Sequence, residues 1–175
     1  FSDIPAKQRA YSLKSSYMTQ TLNKYIFGDV QSPKIIRHWS FLQHCTFEDY
    51  IIRKVSEFYG RTQQELKEFF GVESNAKSLN EILLARMLNV SGRIAYTEEF
   101  QKACIIPKTI RVQYDGSIRE SMSFPTFDFI ELSREDDWEE SDLYNYLAPT
   151  KFMFVIFQQR ADGQYVLAGN ILVRQ

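Results

Sequence analysis

Glu99, Ile106 and Lys108 stand at the spacing of a magnesium-dependent phosphodiesterase site, with one member of that site replaced. Such a site places a carboxylate several residues ahead of an acid-x-lysine triplet at the end of a strand. Alternate strand side chains reach one metal, two carboxylates hold the hard cation, and the lysine assists the attacking water or the scissile phosphate. At the first position of the triplet this chain has an isoleucine. An aliphatic side chain cannot ligate magnesium, and one remaining acid holds it poorly. The residues therefore predict no catalytic site and no metal site, only a degenerate remnant at Glu99, Ile106 and Lys108. The plainer alternative makes Lys108 a solvent-facing strand residue, because charged residues meet at this spacing in many strands.

The element that must position these residues is a hairpin. Two β-rich runs, Ile105 to Tyr114 and Ile118 to Phe127, flank Asp115-Gly116, the strongest short-range hairpin signal in the chain. Upstream, Thr46 with Asp49 and Thr62 with Glu65 have the spacing of capping boxes, each ahead of an amphipathic run that stops at Gly60 or Gly71. Ser78 with Glu81 predicts a third box, opening a helix to Val90 with Leu79, Ile82, Leu83 and Met87 on its apolar face. Ile35, Ile36, Trp39, Phe41 and Leu42 are core candidates in a stretch with no clear period. Downstream, the acidic run Arg134 to Asp142 predicts a solvated turn or a helix N-terminus, where the helix dipole favours negative charge. Lys151 to Gln159, KFMFVIFQQ, is of strand length and carries a continuous apolar run from Phe152 to Phe157, which predicts a buried central strand. A turn at Asp162-Gly163 and a strand from Tyr165 to Val173 complete the pattern.

Composition bounds the possible partners. The 175 residues are 44% hydrophobic, enough for one well-filled core, so a single domain over 1–175 is expected. Net charge is close to neutral, but residues 1–62 carry nine Lys/Arg against five Asp/Glu, and residues 97–142 carry five against twelve. Phosphate contact therefore belongs to the N-terminal part. There, Lys7, Arg9, Lys14 and Lys24 alternate with Ser15, Ser16 and Tyr17, and these seven are the candidate DNA-binding residues: ammonium, guanidinium and hydroxyl groups all donate to phosphate oxygens without reading sequence. An amphipathic helix with solvated lysines is the alternative for the same stretch. Cys45, Cys104, His38 and His44 lack any paired zinc spacing and read as ordinary side chains in a reducing compartment. With no apolar run of membrane length and no secretory signal, the expected location is the cytoplasm. The start at Phe1 suggests a piece of something larger.

Three blocks add a resemblance. SDIPAKQRAYSLKSSYMT near the start, RESMSF from Arg119 to Phe124, and DDWEES from Asp136 to Ser141 together resemble the C-terminal half of GATC-specific type II restriction endonucleases of the Sau-three-A-I kind, a group that resembles the MutH mismatch-repair nuclease. The similarity covers nearly the whole chain in one order. It implies an α/β, restriction-endonuclease-like (MutH-like) core with a mixed central β-sheet flanked by helices. It also implies a division of labour, in which an N-terminal half carries out magnesium-dependent cleavage and the C-terminal half binds double-stranded DNA as an effector. The family pattern places its first metal carboxylate at Glu99, its second at Ile106 and its lysine at Lys108. A further acid falls at Ala85, and a second basic residue falls at Tyr146. Family members continue beyond the strand ending near Val173, so the chain reads as truncated there.

The resulting expectation is a catalytically inactive, DNA-binding allosteric effector domain of a type II restriction endonuclease, with no cofactor of its own and Mg2+ in the parent enzyme. Its partners are DNA and the parent's N-terminal catalytic domain, without a membrane. Two alternatives stand beside it. One is an active MutH-like endonuclease in which Glu98, Glu120, Asp136 or Asp137 supplies the missing carboxylate. The other is a structural or interaction domain that supports a catalytic half.

Overall fold

The computed structural model describes residues 17–18, 21–22, 25–26, 28, 34–36, 39–74, 76–118, 125–134 and 137–174. The chain divides into two compact units, Phe1–Ser32 and Pro33–Gln175. Six of the seven candidate DNA-binding residues, Lys7, Arg9, Lys14, Ser15, Ser16 and Lys24, lie outside the described residues. The seventh, Tyr17, is helical and half-buried.

In the second unit the helices begin where side chains can satisfy their orphan amides. Thr46 accepts from the Asp49 N–H (3.1 Å) and the Asp49 carboxylate accepts from the Thr46 N–H (3.3 Å), which fixes the start of α1, Phe47–Ser56. The same reciprocal box at Thr62 and Glu65 opens α2, Gln63–Phe70, and Gly71 closes it in the left-handed conformation at φ 63°. Helix α3, Leu79–Met87, forms as predicted, but the box at Ser78 does not. Ser78 sits at φ −84°, ψ 11°, outside the extended region from which an N-cap side chain reaches forward, because a tight turn from Ala76 to Leu79 precedes the helix. A short α4, Glu98–Lys102, leads through Cys104 at φ 54° into β1, Ile105–Val112.

The sheet is mixed, in the order β1-β2-β3, with β2 spanning Lys151–Gln159 and β3 spanning Tyr165–Arg174. β1 runs parallel to β2 from Ile105↔Lys151 to Val112↔Gln158, and β2 runs antiparallel to β3. The long apolar run is thus the central strand, as its composition requires. With six α-helices among the described residues, the chain is α/β. Of the second half of the expected hairpin, the described residues hold the turn at Asp115-Gly116 and an antiparallel bridge between Val112 and Ile118. Residues 119–124 lie outside the described ones, and 125–128 form no strand. Asp128 instead accepts from the N–H of Ile130 (2.7 Å) and starts α5, Phe129–Arg134.

The core lies on one face of the sheet. Met153, Val155 and Phe157 alternate along β2 at 0% exposure and meet Ile51 and Val55 of α1, Leu66 of α2 and Leu83 and Leu84 of α3. By the two-residue period of a strand, Ile105, Pro107 and Thr109 share this face with their register partners. Phe152 and Phe154 stack on each other across the opposite face, 6.0 Å between ring centroids. Ile106 and Lys108 belong to that opposite face.

Candidate functional site

Glu99, the first member of the remnant, has its carboxylate engaged by backbone amides. It sits in the first turn of α4, where the run Thr97 to Phe100 is buried except for a half-buried Glu98, and it is only 9% exposed. One carboxylate oxygen, Oε1, accepts from two backbone amides far away in sequence, those of Ile35 (2.9 Å) and Ile36 (3.2 Å). Both isoleucines are buried, so their N–H groups cannot turn to water instead. The carboxylate is their partner, and it ties the start of the second unit to α4. Its other oxygen, Oε2, is buried and accepts from no described residue.

The other members of the pattern do not rebuild a metal site. Ile106 is half-buried in β1 opposite Phe152, and Lys108 is half-buried opposite Phe154. Ala85, buried on α3, lines a cavity with Pro107 and Thr109, on the face of β1 away from Ile106 and Lys108. Tyr146 stands half-buried on α6, Asp142–Leu147. Burial pushes its hydroxyl above the ordinary value of 10.0, so it stays neutral and does not replace a cationic side chain. Magnesium demands near-octahedral oxygen ligation, and this donor set does not fit it: one aliphatic, one alanine and one carboxylate already held by two amides. No group of three His, Cys, Asp or Glu that could hold a metal ion occurs among the described residues.

Two of the four compensating acids can be placed. Glu98 pairs with Lys102 one turn along α4. Asp137 accepts from the N–H of Glu139 (3.0 Å) and caps a 3-10 turn at Trp138–Glu140. Glu120 and Asp136 lie outside the described residues. Next to Asp137, the buried Ser141 hydroxyl accepts from the Tyr144 N–H (3.0 Å) with Asp142 in the first turn of α6. Residues 137–142 of the acidic run thus serve helix starts, as expected of carboxylates near a helix N-terminus. Neither Cys45 nor Cys104 is in a disulfide, and among the described residues no helix is long and apolar enough to cross a membrane.

No family model matches this sequence. Set against curated proteins, it aligns over 181 positions, 97% of its length, at 34% identity, with the type II restriction enzyme Sau3AI of Staphylococcus aureus. The chain is similar to a restriction enzyme. It spans 37% of that relative's length. The resemblance seen in the three sequence blocks therefore extends over almost all of this chain. Sequence reasoning missed the assignment of Glu99 to Ile35 and Ile36, for which a pair of isoleucines 63 and 64 residues away gives no local signal.

Proposed function

We propose that the chain is a catalytically inactive, DNA-binding effector domain with a restriction-endonuclease-like, MutH-like fold, from the C-terminal half of a type II restriction endonuclease that recognises GATC. The observation that carries this reading is the fate of the remnant: Ile106 supplies no ligand, and Glu99 holds the amides of Ile35 and Ile36. The 34% identity to Sau3AI over 97% of the chain and the mixed α/β architecture support it further. Under this reading cleavage and Mg2+ belong to an N-terminal catalytic half of the same cytoplasmic parent protein. The DNA contacts belong to Lys7, Arg9, Lys14, Ser15, Ser16, Tyr17 and Lys24. Bound DNA then favours the cleavage-competent arrangement of the parent over the idle one, which is what an allosteric effect requires.

The test uses the intact parent enzyme on a plasmid with a single GATC site. Adding an uncleavable GATC duplex in trans is expected to raise the cleavage rate about 5- to 150-fold, the range of a typical coupling between two sites. The same addition should only inhibit a parent from which this chain has been deleted. Simple competition in the intact enzyme refutes the effector role and leaves a supporting, structural one. Metal-dependent cleavage by this chain alone, abolished by Lys108→Ala, refutes the inactive assignment.

A further inference from the structure

A cavity of about 530 Å3 lies between α3, the turn after it and β1, on the face of β1 opposite Ile106 and Lys108. Its existence follows from how α3 ends. Asn89 takes a left-handed conformation at φ 56°, the Val90 N–H returns to the Ala85 carbonyl (2.8 Å), and Gly92 at φ 120° reverses the chain. After the reversal Arg93 lines the same cavity as Arg86 of the last helical turn. Buried Leu84, Ala85, Val90 and Ile94 make an apolar floor. Glu81, five residues before Arg86, is exposed and also lines the cavity, and Glu99, Ile106 and Lys108 take no part in the lining.

This combination selects a ligand class. Guanidinium groups are always charged and present planar forks that match phosphate oxygens. Arg86 and Arg93 are exposed and neither pairs with a carboxylate among the described residues, although Arg93 lies over the ring of Tyr96 at 6.0 Å. An inorganic anion would leave the apolar floor unused, whereas a phosphate carrying a flat body fills it. The volume is within the range of small-molecule pockets. The Glu81 carboxylate accepts hydrogen bonds only, and so favours a body bearing an amino group, as carboxylates do with the exocyclic amine of cytosine. We propose that this cavity binds a nucleoside 5′-monophosphate unit with an amino-bearing base, its phosphate on Arg86 and Arg93 and its base over the floor beside Glu81. The unit can come from a free nucleotide or from the 5′-phosphorylated end of a DNA strand.

Calorimetric titration of the full chain with deoxycytidine 5′-monophosphate at low salt tests this. The exposed positions of both arginines allow Arg86→Gln and Arg93→Gln without disturbing the core, and the double variant is expected to bind at least about tenfold more weakly. Inorganic phosphate alone should bind about tenfold more weakly than the nucleotide, and thymidine monophosphate several-fold more weakly, a preference that Glu81→Gln removes. Competition by a 5′-phosphorylated single strand, but not by its 5′-hydroxyl counterpart, identifies a DNA end as a source. Competition by neither leaves the free nucleotide as the ligand. Absence of nucleotide binding up to about 10 mM overturns the proposal, since that limit lies beyond the weakest specific affinities. Affinity unchanged in the double variant, or equal affinity for inorganic phosphate, overturns it as well.

Discussion

Replacing Glu99 by alanine separates a structural carboxylate from a catalytic relic. In the folded chain Oε1 accepts from two buried amides, Ile35 and Ile36, at 2.9 and 3.2 Å. Alanine removes both bonds and leaves two N–H groups without a partner in an apolar setting. Each unsatisfied buried amide costs about 1–3 kcal/mol. Against this, the substitution also relieves the burial of Oε2, which has no partner among the described residues and costs free energy on its own account. The net destabilisation expected for Glu99→Ala is about 2–4 kcal/mol, a large share of the roughly 5–15 kcal/mol that holds a domain together. Glu99→Gln retains a carbonyl oxygen for the two amides, loses the charge and puts an NH2 in place of Oε2, so its cost is expected at about 1 kcal/mol, below that of alanine. Urea unfolding of the three proteins, followed by circular dichroism, gives both differences directly. A Glu99→Ala midpoint equal to wild type, or a glutamine variant as unstable as the alanine one, refutes the reasoning. Adding magnesium should move none of the three midpoints.

Three further perturbations test other parts of the structure. Phe157→Ala, at a fully buried position in the central strand, is expected to cost about 3–5 kcal/mol in urea unfolding, and Phe154→Ala on the opposite face about half as much. The Lys151 ammonium, hydrogen-bonded to Glu48, holds that carboxyl below its ordinary value of 4.5 against a partial desolvation that raises it. A depressed carboxyl stabilises the fold above its unfolded-state value and loses that contribution as pH falls through the folded-state one. The difference between wild type and Lys151→Met, at most about 1 kcal/mol for so solvated a pair, should therefore be full at neutral pH and fade as pH falls below the ordinary value of 4.5 and through the folded-state one. In the N-terminal unit, alanine at Lys7, Arg9, Lys14 and Lys24 together should lower the salt slope of DNA binding, measured by fluorescence anisotropy, by about 0.9 for each phosphate that these side chains neutralise. An unchanged slope moves the DNA-binding surface elsewhere.

Features set by neighbours in sequence were the legible ones. The boxes at Thr46 and Thr62 follow from side chains three residues apart, and β2 follows from the uninterrupted apolar run Phe152 to Phe157, which fills all but the first and the last two residues of the strand. Ser78 carries the same signature and fails, because the turn ahead of it fixes a backbone from which its hydroxyl cannot reach. That information lies in φ and ψ, not in residue types. Asp115-Gly116 specified a reversal, and the described residues show it, with a bridge from Val112 to Ile118. In the candidate site, the missing ligand at Ile106 was readable as a residue type, whereas the partner of Glu99 was not. A carboxylate looks alike whether it faces a cation or two amides, and only the tertiary fold brings Ile35 and Ile36 to it. The cavity at Arg86 and Arg93 likewise depends on a left-handed residue, Asn89, that no short motif announces.

The parallel pairing of β1 with β2 also sets an order of events during folding. β2 and β3 are joined by the short reversal at Asp162-Gly163, so their registers meet after a small loop closes. β1 must wait for everything between Val112 and Lys151, a connection roughly seven to eight times longer, whose closure costs about 1.8 kcal/mol more chain entropy. The hairpin is thus the earlier structure and β1 the later arrival, docking against a ribbon already in place. Mutations in β1 should then chiefly speed unfolding, and mutations in the β2–β3 hairpin should slow refolding. The strand that carries Lys108 is the one whose pairing the chain completes last.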